Sequence, residues 1–165
     1  MKIKTGVEQS VYAVILLNLL PEGAVLHSEE ISRHIGASPS YFQKLLRRMV
    51  KADLIASIHG TKGGFRLNRS PEDIRIYDIY TAIEGRQSLY TSSGILDNMM
   101  DSIETSEECI LRDTMGEAEE SWKSVLKREN IAGLTEKLRA GNYNERFKAL
   151  EETLQESCSV KYEHI

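Results

Sequence analysis

A mainly helical fold with one small β-hairpin is what this sequence predicts: a winged helix-turn-helix followed by a long helix. Three stretches carry the prediction. Residues 38–52 read as a capped amphipathic helix, residues 54–67 as two short strands around a glycine-rich basic tip, and residues 105–128 as a helix with a heptad-like apolar seam.

Helix 38–52 comes first. Ser38 is a favourable N-cap, since its hydroxyl can accept from an orphan backbone N–H. Pro39 follows at the first helical position, where a missing N–H costs nothing. Phe42, Leu45, Leu46, Met49 and Val50 recur at i, i+3, i+4, i+7 and i+8, one buried stripe. The opposite face carries Ser40, Gln43, Lys44, Arg47 and Lys51, flanked by Tyr41 and Arg48. A charged helix face is usually only solvated surface, but this one is all of one sign, with no carboxylate between Ser38 and Ala52.

The flanking segments fit. Ser28 can cap a short helix, with Glu29 and Glu30 favourable against its dipole and Ile31 and Ile35 as its apolar edge. Gly36-Ala37-Ser38 then has the length of a helix-turn-helix turn. In that motif the second helix lies in the major groove and reads base edges from its N-terminal residues. Downstream, Leu54 to Ile58 is strand-compatible, and Gly60-Thr61-Lys62-Gly63-Gly64 is turn chemistry. Phe65 and Leu67 alternate with Arg66 and Asn68, apolar in and polar out. A phosphate-cradling nucleotide loop is the rival reading of these glycines, but neither G-x-x-x-x-G-K-[ST] nor a strand-to-helix G-x-G-x-x-G is present.

Val7 to Leu20 reads as a buried first helix, with Val7, Val11, Val14, Ile15 and Leu19 on one face and Pro21-Glu22-Gly23 closing it. Ser70 to Asp73 is a turn and Ile74 to Ile76 a short extended piece. Asp78 can cap a helix through Ile79, Ala82 and Ile83 that stops at Gly85. In residues 86–104, Ile95, Leu96, Met99, Met100 and Ile103 suggest a short helix or a mobile loop with an apolar face.

The second strong signal opens with Thr105 and Glu108 as a capping box. Leu111, Met115, Ala118, Trp122 and Val125 then repeat at spacings of 4, 3, 4 and 3, a heptad seam. A rod of roughly 35 Å cannot bury such a seam on a small core alone. Pairing with the same helix of a second subunit is expected, with intramolecular core packing as the alternative. Asn130 to Leu138 reads as a further helix, and residues from Gly141 as a polar tail with helical spacing at Phe147, Leu150 and Leu154. The expected division is therefore 1–85 winged helix-turn-helix, 86–104 sensor or linker loop, 105–140 dimerisation helix with the helix after it, and 141–165 tail.

The chain of 165 residues carries a net charge of -4, unevenly divided. Residues 1–70 hold ten Lys/Arg against five Asp/Glu; residues 71–165 hold eleven against twenty. A basic front and an acidic rear suit an oriented DNA binder, because phosphate contacts depend on local charge. No apolar run approaches the length of a membrane span, and the N-terminus lacks the features of a secretory signal. The expectation is a cytoplasmic protein, where Cys109 and Cys158 would be reduced thiols. No nucleophile–base motif or metal-ligand spacing appears, so an enzyme is not expected.

The run from Tyr41 to Gly85 resembles the BadM/Rrf-two family of bacterial winged-helix regulators, of the IscR, NsrR and CymR type. The resemblance rests on the Tyr41, Leu45, Leu46 spacing, the G-x-x-G-G-[FY]-x-L wing and the D-I-x-x-A-I-E-G helix. The long helix with Trp122 and the segment Ile131 to Leu138 also fit, so it covers about residues 1–138.

The resemblance implies a homodimeric transcription factor, usually a repressor, acting on double-stranded DNA at an inverted-repeat operator. By position it implies recognition contacts from Ser38, Ser40, Tyr41, Gln43, Lys44 and Arg47, and wing contacts from His59, Thr61 and Lys62. Iron–sulfur members carry a triplet of cysteines before the dimerisation helix. Here residues 86–108 contain none, Cys109 aligns with the last of the triplet, and Arg112 falls near a histidine of those members. One thiolate cannot hold a cluster that needs about four ligands, so no cofactor and no metal are expected. Cys109 as a redox thiol, Cys109 as a structural residue, and an apolar effector or partner surface at 95–103 stay open as sensing modes. The competing function is a winged-helix protein–protein module that no longer binds DNA.

Overall fold

The computed structural model describes residues 3–101 and 110–162, with side chains as far as Cys158. Helix α1, Thr5–Asn18, is the central element. Gly6, Val7, Ser10 and the run Ala13 to Leu17 are all buried, so more of its circumference is covered than one stripe predicts. A helix apolar nearly all round has to be enclosed, and α1 packs against α2, α3, α4, α7 and the hairpin.

Helices α2, Ser28–Ile35, and α3, Pro39–Lys51, form the expected pair. Gly36 ends α2 in the left-handed conformation, at φ 69°. Phe42, Leu45, Leu46 and Met49 of α3 are buried. The expected caps differ in detail. His27 rather than Ser28 occupies the N-cap of α2, so Ser28 is already helical and its hydroxyl stands in the first turn. Ser38 does sit at the N-cap of α3, but its side chain makes no capping bond; its carbonyl accepts from Phe42 N–H at 2.9 Å.

Strands β1, Ile55–Ile58, and β2, Gly64–Leu67, pair antiparallel, with Ile55 opposite Leu67 and Ile58 opposite Gly64. Leu26 adds a bridge at the β2 edge, exchanging both backbone bonds with Phe65 at 2.9 and 3.0 Å. The glycine at position 63 is obligatory: a Cβ there would lie 2.2 Å from the Ile58 carbonyl oxygen.

After a 3-10 turn at Pro71–Asp73 comes α4, Ile76–Glu84. It begins before Asp78. Arg75 is its N-cap, and Asp78, at the third helical position, accepts from Arg75 N–H at 2.9 Å. This places a carboxylate against the helix dipole from inside the first turn rather than ahead of it. Ile95–Met99 forms the single-turn α5.

Helix α6, Ile110–Arg128, leads into α7, Ile131–Ala140. Their junction is tied to the extended piece before α4: Ile131 N–H donates to Ile74 O at 3.0 Å and Ile76 N–H to Glu129 O at 3.1 Å. The expected capping box of Thr105 and Glu108 lies outside the described residues, as does Cys109.

The C-terminal segment is a packed helix and not a loose tail. Helix α8, Asn144–Tyr162, buries Phe147, Leu154 and Cys158 and packs on α7. The 3-and-4 spacing of Phe147, Leu150 and Leu154 supplied an apolar edge, and the α1–α7 surface supplied something for it to cover.

Candidate nucleic-acid interface

The buried stripe of α3 decides which residues face out. With Phe42, Leu45, Leu46 and Met49 in the core, Ser38, Ser40, Tyr41, Gln43, Lys44, Arg47 and Lys51 are all exposed. The hairpin is anchored to the far end of the same helix. Asp53 turns the chain at φ 56°, Leu54 N–H donates to Met49 O at 3.1 Å, and the Arg69 guanidinium donates to Ala52 O at 3.0 Å. Asn68 N–H then donates to Leu54 O at 3.1 Å, closing the base of the wing. His59, Thr61 and Lys62 are exposed at its tip.

Lys44, Arg47, Lys51 and Lys62 make none of the ion pairs found among the described residues. Cations left without carboxylates are available to an external anion. Arg48 is spent differently. Its guanidinium donates to Ile83 O at 2.5 Å, holding the C-terminus of α4 against α3. Tyr41 is 46% exposed, yet it also has an inward role: a Cβ on the buried Gly6 of α1 would meet its hydroxyl at 2.8 Å. The ring therefore leans on the start of α1, and only part of it faces outward.

One neighbour of the wing was not legible in sequence. The Leu26–Phe65 bridge brings the N-terminus of α2 beside the hairpin, and His27, Ser28, Ser57 and His59 line a shallow cleft of about 220 Å³ there. Nothing local signals this, because the bridge joins residues 39 positions apart.

Along α6 the outer seam is bare in the single chain. Leu111, Met115 and Val125 are 51%, 40% and 43% exposed, and Ala118 is exposed too. Trp122 is set apart: it is half-buried, edge-on to Tyr80 of α4 at 4.7 Å between centroids. Beside it Lys127 lies over the Tyr77 ring at 5.0 Å. The inner side of α6 carries Glu119, which the seam did not single out. Its carboxylate accepts from Leu89 N–H at 2.9 Å and Ser88 Oγ at 3.0 Å, and pairs with Lys123 at 2.8 Å. The Lys123 hydrogen bond first, then those from Leu89 and Ser88, hold its pKa down to about 2. The loop after α4 is thus pinned to α6. Ile95, Met99 and Met100 of and after α5 are exposed, and Ile103, at the end of this apolar stretch, lies outside the described residues.

Among the described residues no three His, Cys, Asp or Glu side chains converge on a possible metal position, and none of the helices is long and apolar enough to cross a membrane. The chain holds two cysteines, of which Cys158 is buried in α8. An iron–sulfur cluster draws on about four thiolates, so this donor set does not fit one.

Comparison with known proteins agrees with the geometry. Residues 3–137 match the Rrf2 family model, described as an iron-dependent transcriptional regulator. YwgB of Bacillus subtilis (strain 168), provisionally named an HTH-type transcriptional regulator, is 43% identical over 131 residues, covering 79% of this chain and 82% of YwgB. YffB of Lactococcus lactis subsp. lactis (strain IL1403), named in the same way, is 34% identical over 145 residues, 87% of this chain and 92% of YffB. The fold is similar to the structure of CymR (YrzC), the global cysteine regulator of B. subtilis, with TM-score 0.64 and 23% identity over 82% of this chain and 97% of that one. With a helix-turn-helix, a glycine-built wing and a match over most of its length, the chain belongs to the Rrf2 family of DNA-binding winged-helix transcriptional regulators.

Proposed function

We propose that the protein is a cytoplasmic, homodimeric regulator that represses transcription from an inverted-repeat operator and works without an iron–sulfur cluster. The observation that carries the reading is the outer face of α3 joined to the wing tip, with Lys44, Arg47 and Lys62 free of carboxylate partners among the described residues. In this reading Ser38, Ser40, Tyr41 and Gln43 approach base edges from the helix N-terminus, Lys44 and Arg47 contact phosphates, and His59, Thr61 and Lys62 follow the adjacent groove. The bare seam of Leu111, Met115, Ala118 and Val125 supports a two-fold pair through α6, which sets half-sites about 10 bp apart or a multiple of that.

Enrichment of genomic fragments on the purified protein at low salt tests the DNA reading. A shared inverted repeat is expected, with affinity that falls steeply as salt rises. Enrichment of no fragment would favour the protein–protein module. The cluster-free reading has its own check. Protein made anaerobically with iron and sulfide should be colourless, and stoichiometric acid-labile sulfide would overturn it. The sensing role of Cys109 is a separate proposal: Cys109→Ser should bind the operator normally and lose any response to disulfide stress.

A further inference from the structure

Behind the DNA-facing surface lies a groove that the regulator reading does not use. Helix α1, the end of α2, α7 and α8 enclose about 460 Å³, within the range of small-molecule sites. Its floor is apolar: Ile15, Leu16, Ile35, Leu138, Phe147 and Leu150. The polar groups are few, as is usual for small-molecule sites. Gln9 also lines the groove, but its Oε1 is sealed from solvent and not open to a guest. Glu8 and Tyr12 stand at the rim on the same helix, His34 opposite them. Among the described residues no Lys or Arg lines the groove, so an anionic guest would meet Glu8 without compensation.

We propose that this groove is an effector site for a small aromatic amine, whose ring occupies the apolar floor and whose ammonium pairs with the Glu8 carboxylate at the rim. The α8 wall, Phe147 and Leu150, lies beyond residues 3–137 that match the family model. Its position also gives it leverage. His34 and Ile35 are the last residues of α2, directly before the turn into α3. Gly6, one turn from Gln9 on α1, lies against Tyr41. A guest that wedges α1 from the end of α2 therefore bears on the orientation of α3, and it shifts the equilibrium to the extent that it prefers one arrangement. This second half rests on the DNA-binding reading.

Tryptamine is the probe, and 3-indolepropionate, with a carboxylate in place of the ammonium, is its matched control. With the full chain, calorimetry should give a tryptamine Kd on the order of 0.1 mM, with the acid about tenfold weaker or worse. Amide shifts should cluster at residues 9, 12, 35 and 147. Glu8→Gln should bring tryptamine to within about threefold of the acid, the loss of one exposed charge pair. Leu150→Trp, which fills the groove from α8, should abolish binding. Equal affinity for amine and acid, shifts located elsewhere, or no heat with tryptamine would overturn the site; the amine–acid comparison decides even if Glu8→Gln does not fold. In the second arm, tryptamine should change the affinity for an enriched DNA fragment at least about threefold in the wild type and not in Leu150→Trp. No change in the wild type would overturn the regulatory half, whereas a protein that binds no DNA would overturn the regulator reading and leave the calorimetric result standing.

Discussion

Gln43 and Lys62 separate two kinds of contact. Gln43 is exposed on the second turn of α3, where its amide can make a bidentate pair with adenine. Gln43→Ala should cost about 1–3 kcal/mol at one position per half-site and relax selectivity there, read by binding to a panel of single-base operator variants. Lys62 at the wing tip carries charge and little shape. Lys62→Ala should weaken all sequences about equally and lower the salt slope by about one. A side chain can also be exposed and yet committed inward, and Arg48 is the case in point. Its bond to Ile83 O means that Arg48→Ala should show as lost stability rather than as a changed salt slope. Ser38, Gln43, Lys44 and Arg47 were legible as outward-facing because helical periodicity assigns a side to each residue once the apolar stripe is known. The lean of Tyr41 onto Gly6 was not, because α1 and α3 meet only in the folded chain.

At the scale of elements, α6 has two faces with different jobs. The outer one is bare and apolar. Leu111→Asp with Met115→Asp should give monomer by sedimentation while leaving the single-chain fold intact, since both positions are exposed. A variant at Trp122 is a poorer test, because its contact with Tyr80 would be lost whether or not a dimer forms. If the double variant stays dimeric, the interface lies elsewhere. The inner face pins the loop through Glu119. Its carboxylate lies at about 2 in the folded protein, below the ordinary 4.5. A depressed pKa stabilises fully above the unfolded value and the contribution is lost as pH falls through the folded one. The Glu119 latch should therefore hold at neutral pH and weaken progressively between about pH 4.5 and 2. Glu119→Gln should remove that acid dependence and speed hydrogen exchange at Leu89. Further along, Asn130 caps α7, its Oδ1 accepting from Gly133 N–H at 2.8 Å while its Nδ2 donates to Glu72 O at 3.2 Å. Asn130→Ala should lower stability by about 1 kcal/mol or somewhat more, read from the midpoint of denaturant unfolding.

The whole molecule is organised round α1, and its core draws on every element that presents the interface. Phe42 is fully buried between α3 and the rest, so Phe42→Ala should cost about 3–5 kcal/mol and loosen α3 together with the fold. Loss of DNA affinity in that variant should track the unfolded fraction, in contrast to Gln43→Ala, where stability is unchanged. The helix α8 adds to this frame from outside the matched family region, covering α7 and walling the groove beside α1.

The sequence by itself determined the order of elements, the outward face of α3, the glycine-built wing tip and the apolar seam of α6. Each of these is a local pattern: a period of about 3.6 or 2, or a turn residue the backbone geometry demands. Tertiary structure decided the rest. It made α1 a helix enclosed on nearly all sides, gave Arg75 the N-cap that Asp78 was expected to hold, and set Trp122 against Tyr80. It turned Arg48 inward and folded the expected tail onto the body. The physical reason is common to all of these. A period says which residues share a face, but the partner that covers the face, and the carbonyl or ring that receives a given side chain, come from segments distant in sequence.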